Sequence, residues 1–110
     1  MCSSDLRAME MAITGDPILA EEAKALGLVA RVVPKGTAVE AALELAQRVA
    51  ENAPLAVAAS KQLVRAAIGI TEDEFWKVQT PLQQTVFTSN DAKEGPKAFA
   101  EKRAPEWTGS

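Results

Sequence analysis

Ser89-Asn90-Asp91-Ala92-Lys93-Glu94-Gly95-Pro96-Lys97-Ala98-Phe99-Ala100-Glu101-Lys102-Arg103-Ala104-Pro105-Glu106-Trp107-Thr108-Gly109 is the stretch on which the fold turns. Ser89 or Asn90 can cap a helix, because a short polar side chain accepts from a first-turn N–H that has no partner inside the helix. Residues 91–103 then read as helical, with an interruption expected at Gly95-Pro96, since proline removes a donor and crowds the preceding turn. From residue 104 onward the sequence reads as an extended tail. Asp91 and Glu94 stand three apart on one face, as a cap and a first-turn acid would. Lys97, Lys102 and Arg103 form a small basic patch. It suits either the negative end of a helix or a phosphate, where lysine acts as a point charge and arginine as a fork.

Working back along the chain, most of the sequence is helical in pattern. Thr71-Glu72-Asp73-Glu74 is a capping box, opening a helix through Phe75, Val78, Leu82, Val86 and Phe87 in which Pro81 predicts a kink or break. Thr37-Ala38-Val39-Glu40 reads as a second box. Behind it Val39, Ala42, Leu43, Ala46, Val49, Ala50 and Ala53 recur at three- and four-residue spacing, an apolar stripe, with Glu44 and Arg48 as a supporting pair. Pro54 suits the first turn of a further helix running to about Ile68, apolar over most of its circumference, with Lys61 and Arg65 as a thin polar strip and Gly69 as its stop. Short helices are expected from Leu6 to Ile13, ended by Thr14-Gly15, and from Ala20 to Leu26, with Gly27 in the left-handed position past the end. Residues 28–33, apolar at nearly every position and stopped by Pro34, are the one convincing strand. Residues 1–5 show no periodicity and read as a junction.

Composition agrees with a mostly α protein. The 110 residues are 47% hydrophobic and 25% charged, an ordinary globular balance. Twenty-one are alanine, the strongest helix former. With 12 basic against 15 acidic residues the net charge is −3, which gives no surface suited to neutralising nucleic-acid phosphates. There is no histidine, so histidine general bases, Ser-His-Asp triads and His-containing zinc sites are excluded. The single cysteine, Cys2, cannot form an internal disulfide and reads as an incidental thiol. No apolar run approaches the ~20 residues of a membrane span and no signal peptide opens the chain, so a soluble, cytoplasmic protein is expected.

No active site emerges from these residues alone. The Glu72-Asp73-Glu74 cluster could do acid–base work, but a solvated first turn explains it. Glu10 and Asp16 flank a turn without partners. Trp76 and Trp107 read as packing residues. Gly15, Gly27, Gly36 and Gly95 sit at element ends and do not form a phosphate-cradling loop. No catalytic residue and no metal ligand is assigned.

The quoted stretch resembles the C-terminal signature of the crotonase (enoyl-CoA hydratase/isomerase) family, S-x-D-x-x-E-G-x-x-A-F-x-E-K-R-x-P-x-W-x-G, at every defined position. Ala8-Met9-Glu10-Met11, Thr14-Gly15, Ala20 and Ala23, Gly27-Leu28-Val29, Val33-Pro34, and Pro54-Leu55-Ala56-Val57 with Lys61 match the segments before it, in order. The resemblance covers residues 6–109. It implies that residues 6–34 are the end of the family's α/β spiral core, which is otherwise largely missing here, and that residues 35–110 are a C-terminal helical region serving oligomerisation and coenzyme A contact.

Such a protein is expected to hydrate or isomerise 2-enoyl-CoA thioesters, as in fatty-acid or carnitine metabolism. Its oxyanion hole of two backbone N–H groups and its glutamates lie upstream of the matched segment, so neither Glu10 nor Glu94 inherits a role. The resemblance further implies acyl-CoA as substrate, no prosthetic group, a trimer or dimer of trimers, and no nucleic-acid or membrane partner. One ligand contact carries over: Lys102, the lysine of the E-K-R motif, to the nucleotide end of CoA. The position of an adenine-stacking aromatic in some hydratases falls near Gln83, which departs from that pattern. Dehydration of a carnitinyl thioester also fits the tail. The competing expectation is a freestanding helical oligomerisation module without catalysis.

Overall fold

The computed structural model describes residues 3–110; the readings made for Met1 and Cys2 lie outside them. Six helices follow one another: α1 Ser3–Thr14, α2 Ala20–Ala25, α3 Ala38–Ala50, α4 Pro54–Ala66, α5 Glu72–Thr88 and α6 Asn90–Glu101. The chain divides into two compact units, Met1–Ala42 and Leu43–Ser110, with the division falling inside α3.

In the first unit α1 begins at Ser3, earlier than the expected Leu6, and Gly15 ends it at φ 72° with its N–H on the Met11 carbonyl at 3.0 Å. Arg7 ties α1 to α2. Its guanidinium meets Glu10 at 2.7 Å and Glu22 at 2.6 Å, and the two carboxylates push its pKa up, the Glu10 hydrogen bond most strongly. α2 closes on Gly27 at φ 74°, with Gly27 N–H on the Lys24 carbonyl and Leu28 N–H on that of Ala23, the paired bonds of a Schellman motif.

Residues 28–33 form no strand, and no strand occurs among the described residues. A strand needs a neighbour to take its alternate N–H and C=O groups. Here the N–H groups of both Leu28 and Val29 turn back to the Ala23 carbonyl, at 2.9 and 3.4 Å, and both side chains stay exposed. The connection to α3 is a turn in which Thr37 donates both its N–H (3.1 Å) and its hydroxyl (2.9 Å) to the Pro34 carbonyl.

In the second unit α4 packs on α5 and α5 on α6. Pro54 opens α4 as expected. The Thr71–Glu74 box forms: Glu74 N–H donates to the Thr71 hydroxyl oxygen at 3.3 Å, and the Glu74 carboxylate takes the Thr71 N–H and hydroxyl at 2.8 Å each. Neither internal proline breaks its helix. α5 runs unbroken through Pro81 and α6 through Gly95-Pro96. Each proline deletes a single i to i−4 bond, and the turns on either side carry the helix across. Before Pro96 stands Gly95, whose missing side chain removes the usual clash with the proline ring. The Glu44–Arg48 pair does not form among the described residues, consistent with how little an exposed ion pair gains over side-chain entropy.

Small side chains on α4 (Ala56, Ala59, Ser60) let α5 approach, leaving an apolar groove of about 270 Å³ floored by Leu63, Leu82 and Val86. Burial is sparse. Among the described residues the buried positions are Ala23, Ser89, Asp91 and Ala98, and three of these belong to α6 and its cap.

Candidate functional site: the clasped tail of helix α6

α6 starts on Ser89, the nearer of the two capping candidates. Its hydroxyl accepts from Ala92 N–H at 3.1 Å and donates to the Val86 carbonyl at 2.6 Å, so one side chain both caps α6 and closes α5. Asp91, 3% exposed, faces the returning tail instead of capping its own helix. Its Oδ1 accepts the Thr108 N–H at 2.7 Å and the Thr108 hydroxyl at 3.1 Å; Oδ2 accepts the Gly109 N–H at 3.0 Å. These donors stabilise the charged form, the Thr108 N–H above all, and hold the carboxyl below its ordinary range.

One turn on, Glu94 takes both ends of the Arg103 guanidinium, at 2.5 Å to Nη1 and 3.1 Å to Nη2, and the Glu106 N–H at 2.9 Å. The arginine fork, then the Glu106 donor, pull its pKa down to about 2. Arg103 is correspondingly raised, by Glu94 first and by Glu101, which meets its Nε at 2.6 Å. The far end of the tail is fixed as well. Trp107 Nε1 donates to the Glu51 carbonyl at 2.8 Å, and its ring lies over Gly95, where an added Cβ would stand 3.5 Å from Cη2. Gly109, at φ 70°, reverses beside Pro54, and the Asn90 N–H donates to the Ser110 carbonyl at 2.6 Å.

This arrangement splits the basic patch read from sequence. Arg103 is consumed by two carboxylates. Lys97 lines the cleft between α6 and the tail, close enough to add to the lowering of Glu94. Lys102 is exposed, and its side chain makes no hydrogen bond or ion pair among the described residues. Its backbone is unusual. At φ 54° and ψ 39° it is the single non-glycine residue with positive φ among the described residues. Side-chain crowding against the backbone disfavours that region for a lysine. Its N–H goes to the Phe99 carbonyl at 3.2 Å and that of Arg103 to Ala98 at 3.1 Å, so Lys102 occupies the glycine position of a second Schellman motif.

Phe99, one turn earlier, is 87% exposed. Gln83, near which the family's adenine-stacking position falls, lines the α4–α5 groove.

The other candidates are structural. Glu74 is lowered by its Thr71 hydrogen bonds, Glu72 receives Trp76 Nε1 at 3.2 Å, and Glu10 belongs to Arg7. Trp76 meets Phe75 edge-on, centroids 6.0 Å apart. Among the described residues no cluster could hold a metal, and no helix is long and apolar enough to cross a membrane.

The tail of the second unit is thus bound back along α6 by two carboxylates, those of Asp91 and Glu94. The enoyl-CoA hydratase/isomerase family profile matches residues 4–110, and the chain belongs to that family. It is 49% identical over 98 residues to the enoyl-CoA hydratase EchA19 of Mycobacterium tuberculosis, covering 89% of this chain and 37% of that relative. It is 44% identical over 104 residues to the carnitinyl-CoA dehydratase of Salmonella typhi, covering 91% and 40%. The crystal structure of an enoyl-CoA hydratase from M. tuberculosis H37Rv superposes with a TM-score of 0.88 at 48% identity, over 96% of this chain and 42% of that one. The chain thus spans about two-fifths of the length of the relatives it matches.

Proposed function

We propose that this chain is the C-terminal helical part of an enoyl-CoA hydratase-like enzyme, supplying oligomer contacts and one contact to the nucleotide end of acyl-CoA. Residues 6–34 would close the spiral core and residues 35–110 form the oligomer-facing region. The observation that carries the reading is Lys102. Lys102 is held in left-handed geometry, where glycine would sit without strain, its ammonium makes no hydrogen bond or ion pair among the described residues, and the preceding turn carries Phe99, 87% exposed. An unpaired ammonium suits a phosphate as a point charge. The apolar side chains that α3 and α4 leave exposed, Val39, Leu43 and Val64, support the oligomer part of the reading.

The reaction itself, hydration or isomerisation of a 2-enoyl thioester or dehydration of a carnitinyl one, would depend on an oxyanion hole and glutamates outside these residues. The role of this chain's own groups would be to bind and orient. Purified chain mixed with crotonyl-CoA should therefore give background hydration only. A rate that rises in proportion to chain concentration would overturn the assignment. A cooperative fold with a defined oligomer and no affinity for coenzyme A would favour the freestanding module.

A further inference from the structure

We propose that Glu94 is a positioning residue for Lys102: by gripping Arg103 and the Glu106 N–H it holds the chain reversal that sets the direction of the lysine. The proposal rests on the reading of Lys102 as a coenzyme A contact. Three observations converge on it. First, Lys102 stands at φ 54° with no short polar side chain to support that conformation locally. The two Schellman bonds around it are open to any residue that reverses there, and glycine would make them without crowding.

Second, Arg103 directly follows the reversal, and its guanidinium reaches back along α6 to Glu94, nine residues earlier, with both Nη atoms on the carboxylate. That reach is open only if the chain has already turned at Lys102. Third, the same Glu94 Oε1 holds the Glu106 N–H, so residues 103 and 106 are tied to the flank of α6 by one side chain. Glu101 fixes the Nε edge of Arg103 and prevents the fork from swinging away. Released from these ties, Lys102 would fall into the right-handed region and add a residue to α6. Each helical step turns by about 100°, so the ammonium would leave its present face.

The test uses the 110-residue chain, coenzyme A as the titrant, and the intraresidue amide–Hα cross-peak of Lys102 in NMR as a readout of positive φ. Glu94→Gln should remove that signature and weaken coenzyme A binding about tenfold, the population lost when a left-handed residue is set free to relax. Lys102→Ala should weaken binding at least as much, and adding Glu94→Gln to it should cause no further loss. Arg103→Lys, which keeps the charge without the fork, should fall between wild type and Glu94→Gln. An equal loss from Glu94→Gln in the Lys102→Ala background would overturn the proposal, as would an unchanged Lys102 signature in Glu94→Gln. If wild type and Lys102→Ala bind coenzyme A equally, or neither binds, the ligand reading of Lys102 falls. The backbone signature in Glu94→Gln then still decides whether Glu94 sets the geometry.

Discussion

Residues 89–110 and the helices α3 and α4 are built on opposite terms. In the first, Ser89 and Asp91 are buried with every polar atom engaged, Ala98 is enclosed, and the tail returns along α6 on hydrogen bonds to two carboxylates. In the second, α3 and α4 are amphipathic helices that bury no residue, with Leu43 at 65% and Val64 at 72% exposure. The clasp satisfies itself locally, whereas α3 and α4 leave Val39, Leu43 and Val64 largely open to solvent, although α4 also packs on α5. In a chain whose relatives are more than twice as long, that contrast sets a tail closed by its own hydrogen bonds against helix faces left open to solvent.

Perturbations of the clasp break this contrast most strongly. Trp107→Ala removes a half-buried ring and the bond to the Glu51 carbonyl; it should cost about 2 kcal/mol, near half the value for a fully buried tryptophan. The check is exchange protection of the Thr108 and Gly109 amides, which should collapse together.

Acid acts on the same contacts. Glu94 falls from its ordinary 4.5 to about 2 on folding, and Asp91 is lowered too, so both contribute stability that is complete above pH 5. That contribution is lost as the pH falls from 4.5 toward 2. Tail protection followed against pH should show this decline in wild type and a shallower one in Glu94→Gln.

Ser89→Ala, at a buried cap, should cost about 1 kcal/mol and loosen the first turn of α6. Thr71→Ala should also cost about 1 kcal/mol but fray α5 alone, leaving the tail amides protected. The smallest effect has the opposite sign. Lys102→Gly relieves the left-handed strain and should stabilise the tail by up to about 1 kcal/mol while weakening coenzyme A binding, the trade expected where a residue is kept for contact and not for stability. A destabilising Lys102→Gly would show that the lysine serves the fold.

Local signals were the legible ones. The Thr71–Glu74 box, Pro54 at a helix start and Gly27 past a helix end all act over three or four residues, and each was readable from spacing. The clasp was not, because Asp91 meets Thr108 and Gly109 across 17 and 18 positions and Trp107 meets Glu51 across 56. Asp91 and Glu94 at three-residue spacing look like first-turn acids until the tail is seen to return. Residues 28–33 show the reverse case. Their pattern is that of a strand, but a strand is made by its neighbour, and within this chain the Ala23 carbonyl takes the donors instead. Lys102 was legible as a candidate through the family resemblance, yet its left-handed backbone, the feature that sets it apart physically, is written in no residue type.

Native-state hydrogen exchange across the whole chain tests the account most directly. The amides of Glu106, Thr108 and Gly109, held by Glu94 and Asp91, should be the slowest to exchange outside the helices, and slower than those in the middle of α3 and α4. Protection in α3 and α4 that equals or exceeds that of the clasp would contradict it, because the hydrogen bonds to Asp91 and Glu94 would then not make the tail the more stable part.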